Sequence, residues 1–166
     1  AAPRRDVSLL MRSTENGGIV DRVIQTVEPS NTRVAKVRVR RQCVPTIGDK
    51  FSSRHGQKGT IGMVLPAHDM PYTAEGLVPD VIMNPHAIPS RMTMGLVFEC
   101  LQSKAAAVRG AGVADGTPFR RDVTAESLAD ELEACGYERH GNERMYCGMT
   151  GEPMECMVFV GPVYYQ

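Results

Sequence analysis

The chain has 166 residues with zero formal net charge, 42% hydrophobic and 23% charged residues, the balance of a globular core former or of one piece of a larger protein. It contains no run of about 18 apolar residues, which excludes a membrane-spanning helix. Its five cysteines (43, 100, 135, 147 and 156) include no Cys-x-x-Cys pair, which argues against a zinc cluster here and for reduced thiols acting as small hydrophobes.

The zero charge conceals a split. Residues 1–58 carry twelve Lys and Arg against five Asp and Glu; residues 59–166 carry seven against fourteen. A basic half followed by an acidic half favours a polyanion contact on the first and protein contacts on the second. The start, Ala1-Ala-Pro-Arg-Arg-Asp6, has neither a Met nor a signal-type apolar stretch, and the end, Val163-Tyr-Tyr-Gln166, is apolar. Both features predict a fragment of a longer chain.

Residues 1–18 are basic and polar and close on a turn, Thr14-Glu-Asn-Gly-Gly18. From Ile19 to Val27 the pattern alternates, Glu28-Pro-Ser-Asn-Thr32 reads as a turn, and Arg33 to Arg40 alternates strictly. The period of two places Ala35, Val37 and Val39 on one face and Lys36, Arg38 and Arg40 on the other, which predicts a β-hairpin. Its cationic face is either solvated or turned to nucleic acid.

The stretch Ile47 to Gly62 holds glycines at 48, 56, 59 and 62 and the cationic candidates Lys50, Arg54, His55 and Lys58. Glycine permits tight turns and close approach of a ligand to the main chain, and lysine and arginine suit phosphate oxygens. The segment predicts a site for a polyanion. A nucleotide P-loop is excluded, because Gln57 separates Gly56 from Lys58 and Gly59 separates Lys58 from Thr60. Ser52 or Ser53 beside His55 lacks the orienting acid and oxyanion site that a nucleophile needs.

Met63-Val-Leu65 predicts a short strand, and prolines at 71, 79, 85 and 89 predict a rigid, extended connector without helix. A helix is expected from Arg91 to Val108 with Ser90 as N-cap, since Val97, Cys100, Leu101, Lys104 and Val108 fall at helical spacing. That places Arg91 in a first turn, either simply exposed or forming an anion site with the free N–H groups. After a Gly-rich loop, a second helix runs from Ala125 to Cys135 with Thr124 as N-cap, a Val123–Leu128 staple and Gly136 as its stop. Its Glu126, Asp130, Glu131 and Glu133 read as a solvated face. Arg144 to Gly148 and Met154 to Val160 predict a second hairpin. Asp49, Asp69, Asp80 and Asp115 are isolated in sequence, so phosphate-handling cations stand without a metal-holding acid cluster.

Two long motifs carry a family resemblance. Gly48-Asp-Lys-Phe-Ser-Ser-Arg-His-Gly-Gln-Lys-Gly59 and Met70-Pro-Tyr-Thr-Ala-Glu-Gly-Leu-Val-Pro-Asp-Val-Ile-Met-Asn-Pro-His-Ala-Ile-Pro-Ser-Arg-Met-Thr93 closely resemble the second-largest subunit of multisubunit, DNA-directed RNA polymerases. The tail from Met145 to Gln166 is similar too, and Arg12-Ser-Thr-Glu-Asn-Gly17 looks like the RNA polymerase II form. Gly17-Gly18, residues 63–69 and the loop 109–120 depart from that pattern without touching the cationic candidates.

The resemblance implies an α+β, mainly β fold: a partial double-psi β-barrel with two helices and β-hairpins, completed by chain outside this one. Residues 1–43 would be the end of the wall, or flap, and residues 44–166 part of the hybrid-binding region. Lys50 and Lys58 would contact phosphates of the RNA 3′ end or the initiating nucleotide. Arg91 would contact the triphosphate of the incoming nucleotide, with Arg54, His55 and Gln57 in support. The implied Mg2+ would be held mainly by aspartates of the largest subunit, and the implied Zn2+ by clamp cysteines beyond Gln166. Partners would be the other polymerase subunits, template DNA, nascent RNA and nucleoside triphosphates, in the nucleus. The fragment alone would be inactive. A different reading of the same residues is a stand-alone β-rich RNA-binding module.

Overall fold

The computed structural model describes residues 17–166, so the turn predicted over Thr14-Glu-Asn-Gly-Gly18 and the polymerase II-like residues 12–16 lie largely outside it. The chain divides into two compact units, one ending at Pro45 and one running from Thr46 to Gln166.

Within the first unit, β1 (Ile19–Val27) and β2 (Arg33–Arg40) form the predicted antiparallel hairpin. Asn31 supplies the left-handed turn conformation with φ 60°, one that Asn tolerates better than most residues. The register pairs Val23 with Val37 and Gln25 with Ala35 on one face, and Arg22 with Arg38 and Ile24 with Lys36 on the other. A register shift between Val20 and Arg22 marks Asp21, whose carboxylate lies 3.5 Å from Arg38.

In the second unit, β3 (Lys50–Ser52) and β4 (Lys58–Thr60) pair as a short hairpin. The Gly48 N–H donating to Ile61 and the Ile61 N–H donating to Asp49 extend it at its open end. On its other edge, β3 exchanges two hydrogen bonds with the last residue, Ser52 N–H to Gln166 O at 2.8 Å and Gln166 N–H to Ser52 O at 2.9 Å. A three-stranded antiparallel sheet has the order β5 (Tyr72–Thr73), β6 (Asn142–Tyr146), β7 (Pro153–Phe159). The β6–β7 pair is the second predicted hairpin, and Tyr72 stacks on Tyr146 with ring centroids 5.6 Å apart.

The fold is mixed helix and sheet. Among the described residues the strands form three small antiparallel sheets, and none closes into a barrel. The predicted strand at Met63-Val-Leu65 is absent from those sheets: all three residues are exposed, because no described strand lies alongside to satisfy an extended backbone.

The predicted helix over residues 91–108 is one helix that begins three residues later than expected, with a separate short helix before it. A five-residue α1 (Ala87–Arg91) ends at Met92, which has φ 55° and ψ 34°, and α2 (Met94–Arg109) follows. Ser90 is therefore not an N-cap; its Oγ donates back to the His86 carbonyl at 3.0 Å. The expectation that residues 71–90 exclude helix also fails. Pro89 is the third residue of α1, where a first-turn N–H has no intrahelical partner to lose.

The second predicted helix is α3 (Ala125–Ala134). Thr124 caps it as expected, and Ser127 completes a reciprocal capping box in the place usually held by Glu or Gln. Gly136, φ 86°, follows the helix end. The core lies where α2 meets α3: Leu101, Ala105 and Leu132 are buried, with Val97, Cys135 and Tyr137 packed around them. Each buried leucine contributes about 2 kcal/mol by removal from water.

Candidate functional site

The glycine-rich basic stretch folds as the β3–β4 hairpin, and its register decides where the lysines point. Lys50 pairs with Thr60, and Ser52 pairs with Lys58. Partners across an antiparallel pair share a face, so Lys50 and Lys58 are diagonal neighbours on one side, their Cα atoms about 7–8 Å apart. Phe51 and Gly59 lie on the opposite side. Both lysines are exposed.

The turn that joins the strands is held from within. Buried Ser53 accepts hydrogen bonds on Oγ from the N–H groups of His55 (3.1 Å) and Gln57 (3.4 Å), and Gly56 turns the chain with φ 79°. The Ser53 hydroxyl is thus occupied by backbone donors, and the His55 ring faces away toward α2.

There His55 Nε2 lies 2.6 Å from Glu99 Oε2, and Arg54 Nη2 donates to Glu99 Oε1 at 2.5 Å. The Tyr164 N–H also donates to Oε1 at 3.3 Å, and the Arg54 guanidinium sits 5.2 Å from the centre of the Tyr164 ring. Burial disfavours the charged form of Glu99. Hydrogen bonds from Arg54, the Tyr164 N–H and His55, with the charge of Arg54, outweigh that and hold its pKa below the ordinary carboxylate value.

Arg91 departs from its expected place. It is the last residue of α1, not a first-turn residue. Its Nη1 donates instead to the Lys58 carbonyl at 3.1 Å. The structure therefore brings Arg91 to the lysine hairpin by direct contact across 33 residues of sequence. Arg54, His55 and Gln57 are brought to the same hairpin but face α1 and α2 rather than the lysine side.

Sequence reasoning weighed Ser53 only as a nucleophile and missed Glu99 and Thr93, each of which anchors a predicted site residue. Their partners lie 44 or 45 positions away for Glu99 and 36 for Thr93, so no local spacing signals them. Gly95 gave no hint either: a Cβ there would lie 2.7 Å from His55 Nδ1, so the ring packs directly on the α2 backbone.

The acids near the cations do not fit a metal. Glu99 is filled by Arg54 and His55, and Asp49 Oδ2 accepts from the N–H and hydroxyl of Thr46 at 3.0 and 3.2 Å. Among the described residues no group of three or more His, Cys, Asp or Glu is placed to hold an ion. What the arrangement offers is exposed positive charge on one hairpin face, braced from behind.

A family profile described as RNA polymerase Rpb2, domain 6 matches residues 1–166. The chain belongs to that family. It is 53% identical over 163 residues to DNA-directed RNA polymerase II subunit 2 of Arabidopsis thaliana and 52% identical to subunit RPB2 of Schizosaccharomyces pombe. It is 48% identical to DNA-directed RNA polymerase subunit Rpo2 of Saccharolobus solfataricus. Each match covers 98% of this chain but only 13–14% of the relative's length.

Proposed function

We propose that this chain is part of the catalytic core of a DNA-directed RNA polymerase, with Lys50, Lys58 and Arg91 as cationic contacts for RNA and nucleoside triphosphate phosphates. One observation carries the reading. Two exposed lysines share a hairpin face, and the guanidinium of Arg91 rests on the carbonyl of one of them.

The lysines are mobile point charges suited to successive phosphates of an RNA end, whereas the planar fork of Arg91 suits a terminal phosphate group. Phosphoryl transfer depends on positioning and on neutralising charge spread over phosphate oxygens, which cations supply without covalent chemistry. The Mg2+ that such transfer uses would be held by acids of the largest subunit, and Zn2+ by cysteines beyond Gln166. Template DNA, nascent RNA and the other polymerase subunits are the partners of this reading, and the nucleus its location for the eukaryotic form. The barrel of the hybrid-binding region would be completed by outside strands. Exposed Met63, Val64 and Leu65 support that.

The test is nucleotide addition by the assembled polymerase. Loss of one charge-assisted contact in Arg91→Ala raises KM for nucleoside triphosphates about ten-fold or more and slows addition. Unchanged elongation at low nucleotide concentration refutes the assignment of Arg91. Lys50→Ala and Lys58→Ala change abortive initiation or hybrid retention; unaltered abortive products in both refute theirs. The competing reading, a self-sufficient RNA-binding module, requires residues 1–166 to melt cooperatively and bind RNA with steep salt dependence. The polymerase reading expects poor folding in isolation, because exposed apolar segments lose their partners.

A further inference from the structure

Gln57 is the most buried polar side chain near the lysine hairpin, at 1% exposure, yet it carries no charge and reaches no open surface. Its Nε2 donates to the Ala87 carbonyl at 3.0 Å and to the Thr93 hydroxyl. Ala87 is the first residue of α1, and Thr93 follows the left-handed residue Met92 that ends it. One amide therefore grips both ends of a five-residue helix that is too short to hold its own geometry. The Ala87 carbonyl only accepts, so the amide nitrogen must face it, and a carboxylate at this position has nothing to donate.

The grip closes a ring of contacts. The side chain of Gln57 holds α1, α1 carries Arg91, and Arg91 returns to the carbonyl of Lys58, the residue directly after Gln57. Thr93 gives up its capping role for this. It occupies the N-cap position of α2 but makes no side-chain cap, and its hydroxyl instead accepts from Gln57. A local helix preference is overridden to serve a contact 36 residues away.

We propose that Gln57 is a positioning residue that fixes Arg91 in register with Lys50 and Lys58, so that the three cations meet one string of phosphates as a unit. This rests on the phosphate-binding reading above. Gln57 touches no substrate; it acts through Arg91.

The experiment is single-nucleotide addition by assembled polymerase carrying Gln57→Met, which keeps size and removes the donor, alone and combined with Arg91→Ala. Gln57→Met raises KM for nucleoside triphosphates about five-fold, the value of a buried hydrogen bond, with a smaller change in kcat. In the Arg91→Ala background it adds less than about two-fold, because the group it positions is gone. Gln57→Asn behaves like Met, since an amide one carbon shorter falls about 1.5 Å short of the Ala87 carbonyl. Thr93→Val raises the same KM, while Thr93→Ser, which keeps the hydroxyl, leaves it unchanged. Should Gln57→Met prevent assembly, this threonine pair decides. Unchanged KM in Gln57→Met, full multiplication with Arg91→Ala, or equal effects of Val and Ser at position 93 overturn the proposal. Unchanged KM in Arg91→Ala alone overturns the phosphate-binding reading instead.

Discussion

Lys104 sits on the apolar stripe of α2, and the structure buries it there at 7% exposure, so its truncation gives a sharp test of how α2 is held. Its ammonium pairs closely with Glu143 of β6, lies 3.5 Å from the Gly141 carbonyl and stands 4.8 Å from the centre of the Tyr137 ring. Lys104→Met keeps the aliphatic stem in the core and removes only the charge. That strands the Glu143 carboxylate, whose side chain is 19% exposed. Breaking one partner of a buried pair costs roughly 3–5 kcal/mol, and the partial exposure of Glu143 favours the lower end, about 3 kcal/mol. Loss of the cation–π contact adds about 1 kcal/mol.

Hydrogen exchange of the assembled polymerase reads this out. Amides of residues 101–109 and 142–146 exchange at least about a hundred-fold faster in Lys104→Met, since each 1.4 kcal/mol is a factor of ten. Adding Glu143→Leu removes the stranded charge and returns most of the protection, because an apolar replacement of a whole buried pair is near neutral. Unchanged exchange in the single variant, or a double variant as labile as the single one, refutes the account of Lys104 as a buried ion-pair anchor.

Gly95→Ala drives a Cβ to 2.7 Å from His55 Nδ1, and the ring cannot swing aside without leaving Glu99. Amides of the 53–57 turn then exchange about ten-fold faster, and exchange indistinguishable from the parent contradicts the packing described. Burial raises the Cys100 thiol to about 11 against the lowering effect of nearby Lys104. At pH 8 only about one thiol in a thousand is ionised, so iodoacetamide labels Cys100 in unfolded but not native polymerase. Equal labelling rates in the two states refute it.

Most of the architecture was legible wherever a signal repeats locally. The alternation of Arg33 to Arg40 and the Glu28–Thr32 turn define one hairpin, and Thr124 with Gly136 brackets α3 at both ends. The misplaced start of the helix predicted over residues 91–108 has a physical cause. Ala105-Ala-Ala107 and the 97–108 stripe argue strongly for helix, and nothing in a propensity marks where it begins. The break at Met92 is a tertiary choice, held by Gln57 on both sides of it. Met63-Val-Leu65 fails for the opposite reason. Its composition suits a strand, but a strand requires a neighbour, and none lies alongside it among the described residues.

The same distinction separates the two halves of the candidate site. Lys50 and Lys58 were readable as cations of one glycine-rich stretch, while the short hairpin that sets them on one face emerged only in the structure. Arg91 was readable only as a cation, and it closes α1 rather than standing in a first turn. Its contact with Lys58 depends on a helix of five residues that local sequence does not stabilise and on a glutamine that carries no chemistry of its own. Cations announce a phosphate site in sequence because their charge is intrinsic to the residue. The groups that aim them, Gln57, Thr93 and Glu99, are ordinary until the fold gives them partners. The geometry of this site is therefore set by the residues least visible in its sequence, and substitutions there are expected to separate positioning from charge.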